Sequence, residues 1–461
     1  SLKANTTGSA NVGVGVNTLL VNTIGEANTA VGTAALGSNI SGDNNTALGR
    51  SALVNNTASN NTAVGKDSLK ENTSGTQNVA LGKDALAVNT TANYNTAIGA
   101  VCLRSNTTGT RNTGLGRGVL EFNSTANDNT AVGYGALQVN TTGTNNVAVG
   151  SGALDANTTG NNNTAVGLNA LSSNTTGQQS VAVGLGALGS VTTADYNVAV
   201  GSGALSTVTT AEDNVAMGRA ALSVNTAANN TGIGSLSLYL NTSGTLNSGC
   251  GRGTLQSNTT GSYNTAMGAR ALHLNTTASN NTAVGYEALK VNTTGDLNVA
   301  IGMSALASNT VGDRAVAIGA NALKSQAPTS NTDTNNVAVG LNSQFNTTTG
   351  INNTAVGRKT LEQNTSGSSN SAFGVDCLAN NTTGSNNSAF GYETLEYATT
   401  VSGNSAFGYR ALRQNTSGAS NVAVGANALE ANTTATNNTA VGFSALTTNT
   451  TGETNTAVGM Q

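Results

Sequence analysis

The sequence predicts an all-β protein, a parallel β-solenoid (β-roll) of about 27 coils with a 17-residue repeat. Three observations carry this. A Gly recurs at 15, 32, 49, 65, 82 and onward to 459, giving 27 glycines whose 26 intervals are 17 residues in 23 cases, 16 in two and 21 in one. Val and Thr are abundant, while Pro is 1 residue, Trp is absent, aromatics are 3% and charged residues 8% of the 461. Seventeen residues are also too few for a helix–turn–helix repeat and carry too many Gly and β-branched residues for helix.

With the recurring Gly as slot 0, one repeat reads Gly-x-x-Ala-Leu-x-x-Asn-Thr-Thr-Gly-x-x-Asn-Thr-Ala-Val. Slot +4 is Leu in 26 of 27 coils, with Gln344 the exception, which predicts a buried, stacked Leu ladder. Slot −1 is Val, Ile, Leu, Met, Phe or Cys, and slot −3 is mostly Thr or Val. One strand period separates them, so both are expected to face the Leu ladder. Slot −2 lies between them and is Ala or Gly in all 27 coils. The period places it outward, packed either on another chain or on a second layer of the same coil. Slot +3, mainly Ala, is expected on that same outer surface. Asn at −4 and +7 predicts stacked side-chain ladders in turns, and Gly at 0 and +10 predicts positive-φ turn positions.

A single coil cannot offset the entropy of ordering its 17 residues with one Leu and one or two Val, so coils must stack. At about 4.8 Å per coil the array would run about 130 Å. Residues 1–461 are expected to form one continuous array, with a loop insertion around 320–345 that contains Pro328 and Asp333.

The phrases Asn-Val-Ala-Val-Gly at 146–150, 197–201 and 421–425, and Ser-Val-Ala-Val-Gly at 180–184, resemble the repeats of trimeric autotransporter adhesin heads. The longer phrase at 281–295 is similar to repeats of phage and bacterial tail-fibre-domain proteins. The resemblance runs over essentially the whole chain. It implies a left-handed roll, a homotrimer and an extracellular, cell-surface or virion location. The 17-residue period is longer than that of the adhesin heads, and no coiled-coil stalk, anchor or chaperone domain is recognisable.

The same composition excludes several function classes. The net charge of −3 is spread thinly, with no basic patch for nucleic acid, and no apolar run reaches a membrane span. His273 is the only histidine, so a Ser-His-Asp triad or a His-metal cluster within one chain is impossible. No catalytic, cofactor or metal residues are expected, and no cofactor. Cys102, Cys250 and Cys377 are expected to be free thiols acting as small hydrophobes.

Two further surfaces emerge. Slot +1 carries Arg50, Arg117, Tyr134, Tyr286, Tyr392 and Tyr409, a possible binding stripe for a cell-surface glycan or host receptor. The Asn-Thr-Thr triplets read as glycosylation acceptors at Asn106, Asn140, Asn157 and Asn292.

The leading functional expectation is a non-catalytic structural or adhesive fibre that self-associates. The alternatives are an ice-binding solenoid, disfavoured by the inward placement of the slot −3 Thr, and a polysaccharide-binding or depolymerising phage-fibre module. Ser1 falls at slot +3 and Gln461 at +2, with no polar cap at either end. The phase predicts that the solenoid continues, through copies stacked head to tail or through more of the same polypeptide.

Overall fold

A computed structural model of the protein describes residues 1–460 and is all-β, a parallel β-solenoid without a helix among those residues. Of the 29 strands among these residues, 27 three-residue strands occupy slots −3 to −1, from β1 (Val12–Val14) to β29 (Thr456–Val458), and β19 (Gly312–Asp313) and β21 (Thr332–Asp333) have two residues each. The chain divides into two compact units, Ser1–Ala228 and Asn229–Gln461. In each unit, successive strands pair in parallel, slot on slot. Thr164, Ala165 and Val166 of β10 (Thr164–Val166), for example, pair with Val181, Ala182 and Val183 of β11 (Val181–Val183).

The strand faces the opposite way from the sequence expectation. Ala at slot −2 points inward and is fully buried, as at Ala165 and Ala283, whereas slots −3 and −1 are exposed or half-exposed in every strand. Only the terminal strands β1 and β29 leave slot −2 partly open. Slot +3 is buried as well, so Ala35 and Leu36 are adjacent in sequence and both interior. The −2 alanines therefore pack within their own solenoid, and the expectation that they meet another chain is overturned.

The glycine exceptions show what faces slot −2. A Cβ placed on Gly114 would lie 2.5 Å from Cys102 Sγ and 3.2 Å from Val119 Cγ1, both slot +3 residues. On Gly249 it would lie 2.6 Å from Ser237 Oγ and 2.8 Å from Thr254 Oγ1, again at +3. Slots −2 and +3 thus oppose each other across a thin interior, where Gly at −2 makes room for a larger +3 residue in some coils, while Ala372 and Ala389 still accommodate Cys377 in others. Val or Phe at −2 would not fit, which is why the bulky strand residues turn outward.

Turn chemistry makes this inversion possible. Every slot +4 residue has positive φ, from Leu2 at 54° to Leu446 at 52°, Gln344 included at 50°. Slot +2 does the same, as at Asn17 (56°) and Ala34 (61°). Left-handed residues on both sides of slot +3 break strand parity and let +3 and +4 point inward together. That conformation costs a non-Gly residue roughly 1–2 kcal/mol, offset here by burial of the Leu. Gly at slot 0 is obligatory, with φ of 133° at Gly15 and the next coil's Gly32 carbonyl 2.9 Å from where a Cβ would stand. The slot +10 glycines are not in the positive-φ region, contrary to expectation. Ala92, Ala126 and Ala278 take the same slot, which selects small residues beside the Asn ladder.

Both Asn ladders form as read from the sequence. At +7, Asn22 Nδ2 donates to Asn5 Oδ1 of the preceding coil (3.0 Å) and to the Gly25 carbonyl (3.1 Å). At −4, the Asn45 backbone N–H donates to Asn28 Oδ1 (3.0 Å), and Asn45 Nδ2 donates to the next coil's Ala58 carbonyl (2.8 Å). Where Val191 and Ala398 interrupt the +7 ladder, the buried Oδ1 atoms of Asn174 and Asn381 accept no hydrogen bond.

The long coil between Gly319 and Gly340 carries its extra residues outward. Its segment Thr332–Asp333 pairs in parallel with Gly312–Asp313, and Arg314 forms an ion pair with Asp333. Gln326 replaces Asn in the +7 ladder, donating to Asn309 Oδ1 (3.3 Å) and accepting from Asn336 Nδ2 (3.0 Å). Gln344, in the Leu slot, is buried and donates to the Val337 (2.9 Å) and Asn353 (3.3 Å) carbonyls.

Candidate functional site

The slot pattern sorts the surface into ranks with different chemistry. All charged side chains stand at +1, +2, +5, +6, +11 or +12, apart from Asp333 in the long coil. Stacking pairs many of them across coils at opposite sign: Arg104–Glu121 at 3.0 Å, Arg111–Asp128 at 2.6 Å, Arg270–Glu287 at 3.3 Å and Arg413–Glu396 at 2.7 Å. The hydrogen bond from Arg111 holds the Asp128 carboxyl below the usual carboxylate range. These pairs lie at the surface, with Arg413–Glu396 half-buried, and contribute little to stability.

The slot +1 stripe lies on this charged edge. Arg50 and Arg117 are exposed, as are Tyr134, Tyr286, Tyr392 and Tyr409. The structure joins only some of them. Arg117 sits over the Tyr134 ring at 5.8 Å, and Tyr392 stacks on Tyr409 at 5.7 Å. Arg50 and Tyr286 stand in other coils. Beside Arg117 and Tyr134, Gly118 and Gly135 at slot +2 open a shallow groove of about 240 Å³, walled by Arg104, Glu121 and Gln138. Glu121 is already engaged by Arg104 and by Gln138 Nε2 (2.9 Å).

The outward side of the strands is a different surface, and reasoning from strand parity missed it. Slot −3 is Thr in 13 coils, Val in 10 and Ser in four, while slot −1 is always Val, Leu, Ile, Met, Phe or Cys. Not one of these 54 positions carries a charge. Phe373, Phe390 and Phe407 stack at 4.8 and 4.9 Å between ring centroids, nearly coplanar in orientation. Cys250 lies on this face and is exposed, not interior as expected, because the whole strand is inverted. Cys102 and Cys377 are free and buried, and burial pushes both thiols up to about 12. The signal that would have found this face was present in the sequence: slot −2, and not slot −3 or −1, is held to Ala or Gly in every coil, as a thin interior demands.

The glycosylation reading does not survive the structure. Asn106, Asn140, Asn157 and Asn292 are fully buried members of the +7 ladder. Asn106 Nδ2, the atom a glycan would occupy, donates to Asn89 Oδ1 (3.1 Å) and to the Gly109 carbonyl (2.9 Å). Asn140, Asn157 and Asn292 repeat this arrangement. His273 is half-buried at slot +5, its Nδ1 2.9 Å from the Gly253 carbonyl. Among the described residues, no group of His, Cys, Asp or Glu could hold a metal ion, and no helix is long and apolar enough to cross a membrane.

No protein-family model matches the chain, and no curated protein matches it significantly in sequence.

Proposed function

We propose that the protein is a non-catalytic structural and adhesive fibre component whose strand face is covered by further copies of the same chain. One observation carries this reading: slot −1 of the outward strand face is apolar in all 27 coils, whereas the other charge-free outward ranks, +8 and +9, are mostly Thr and Ser. A row of Val, Ile, Leu, Met and Phe standing exposed or half-exposed in every coil is what an uncovered association face looks like. The charged and aromatic edge remains open in such an assembly. Its Arg117–Tyr134 groove is the part best shaped for a glycan or host receptor. An extracellular, cell-surface or virion setting and a trimer accord with the resemblance of the repeats to adhesin heads and tail fibres.

Light scattering tests the reading. A mass at a multiple of 45.4 kDa is expected for the wild-type chain. Val166→Glu with Val284→Glu should return the mass of one chain with the β-sheet circular dichroism unchanged. A folded wild-type monomer at micromolar concentration would remove the self-association reading.

Ice binding is the second reading, because the slot −3 Thr rank faces outward after all. The rank is broken by 10 Val and four Ser, and slot −1 ranges from Cys to Phe, so the face lacks a regular lattice of hydroxyls. A thermal-hysteresis measurement decides it: a gap between melting and freezing points supports ice binding, and none discards it.

A further inference from the structure

The strand face is not uniform, and its main irregularity is compensated within single coils. Phe occurs at slot −1 only in three consecutive coils, at Phe373, Phe390 and Phe407. Those same coils carry Ser371, Ser388 and Ser405 at slot −3, where the only other Ser is Ser248. Bulk has moved from one rank of the face to the other. The Phe rings lie flat on one another along the stacking direction, at 7° and 5° between planes, so their edges form a ridge beside a Ser trough. Slot −2 does not demand the exchange, since Ala372, Ala389 and Ala406 keep it unchanged and fully buried. Neither do the larger slot +3 residues Cys377 and Thr394, since Thr360 at the same slot accompanies an ordinary Thr354 and Val356. The compensation therefore concerns what lies outside.

We propose that copies of this chain associate in parallel and in register, with the Phe373–Phe390–Phe407 ridge of one copy seated over the Ser371–Ser388–Ser405 trough of the next. The proposal rests on the self-association reading above. When copies are related by rotation about the stacking direction, the −1 rank of one meets the −3 rank of its neighbour at equal height. Only equal heights bring all three Phe over all three Ser. A slip of one coil, about 4.8 Å, drives a Phe edge onto β-branched Thr354 or Val422. Elsewhere the face is mostly Val, Ile and Thr, and such a surface slides with little penalty. The 14 three-residue strands of Asn229–Gln461 each offer two outward side chains. At roughly 40–50 Å² each they supply on the order of 1,000 Å², beyond the roughly 800 Å² per partner of a stable interface. The neighbouring edge provides a polar rim, with Tyr392 stacked on Tyr409, Arg410 paired to Glu393 at 2.8 Å, and Arg413 to Glu396 at 2.7 Å.

The test uses the full chain with Cys250→Ser, leaving two buried thiols that resist labelling. A spin label is placed through Leu246→Cys or Leu297→Cys, exposed residues at the same slot three coils apart. Pulsed electron spin resonance should give one narrow distance between copies, equal for the two sites. The triple variant Phe373→Val, Phe390→Val, Phe407→Val should keep the assembled mass but add a second, longer distance from copies slipped by one coil. Unequal distances at the two sites would mean antiparallel association and overturn the proposal. So would a triple variant whose distribution stays narrow, because the ridge would then not set the register. A monomeric wild-type chain would instead remove the self-association reading on which the proposal stands.

Discussion

Leu115 and Arg117 both stand exposed, yet the ranks they belong to obey opposite rules. The charged edge accepts Arg, Lys, Tyr, Ser, Ala and Leu from coil to coil, and its stacked pairs, such as Arg104 with Glu121, are local arrangements. The strand face accepts size variation, from Cys250 to Phe373, but never a charge. Exposure alone therefore does not distinguish a solvated surface from one that awaits a partner. What sets the strand face apart is the unbroken apolar rank at slot −1.

The sharpest way to break the comparison is to move one residue across the strand. Ala165→Glu places a carboxylate in the closed interior, where an unpaired buried charge costs several kcal/mol, and the same holds for Ala283→Glu. Both should abolish cooperative folding, measured as loss of the circular dichroism melting transition. Val166→Glu, one position on, should leave that transition within about 1 kcal/mol of wild type while removing self-association.

The cysteines carry the same contrast into pH dependence. The Cys377 thiol is raised from 9.0 to about 12 by burial, so above pH 9 the unfolded chain loses a proton that the folded chain keeps. Stability should be whole below pH 9, fall as the pH rises, and level off near 12. Cys377→Ala should flatten part of that decline in alkaline denaturation curves. Maleimide under native, dissociated conditions should modify only Cys250, and assembly through the strand face should protect it.

A smaller gain is expected from closing a gap in the +7 ladder. Asn381 Oδ1 is left without a donor because Ala398 follows it, and Val401 fills the space at +10 that Gly or Ala holds elsewhere. Ala398→Asn with Val401→Gly restores the repeat and should raise stability by about 1 kcal/mol in urea titrations. A loss of stability would show that packing around Val401 outweighs the missing hydrogen bond.

The smallest effect belongs to the charged edge. Asp128 is held below its usual range by Arg111, so its contribution is present above the ordinary carboxylate range and fades as the pH falls through the lowered value. Asp128→Asn should remove that weak acid dependence, and moderate salt should mask it.

The period, the interior Leu of slot +4 and both Asn ladders were legible in the residues, because each slot repeats in nearly every coil and a stacked side chain meets its own kind. Gly at slot 0 was legible for the same reason, since a carbonyl of the next coil occupies the place of a Cβ. The long coil announced itself by its 21-residue interval. The charge-free strand face was also written there, but was attached to the wrong side of the strand.

Which side of the strand faces inward is a decision of the tertiary structure. Strand parity relates slots −3, −2 and −1 to one another but does not say which set is interior. Carrying that parity past Gly at slot 0 assumed an ordinary path through slots +1 to +4. The left-handed conformations at +2 and +4, Leu36 at 49° among them, turn Ala35 and Leu36 inward together, and no local preference of Leu foretells that. Once those two side chains fill the thin interior, only Ala or Gly fits opposite, and Thr, Val and Phe are left on the outside. The repeat alone determined the stacking; the volume enclosed by one coil decided which residues it encloses.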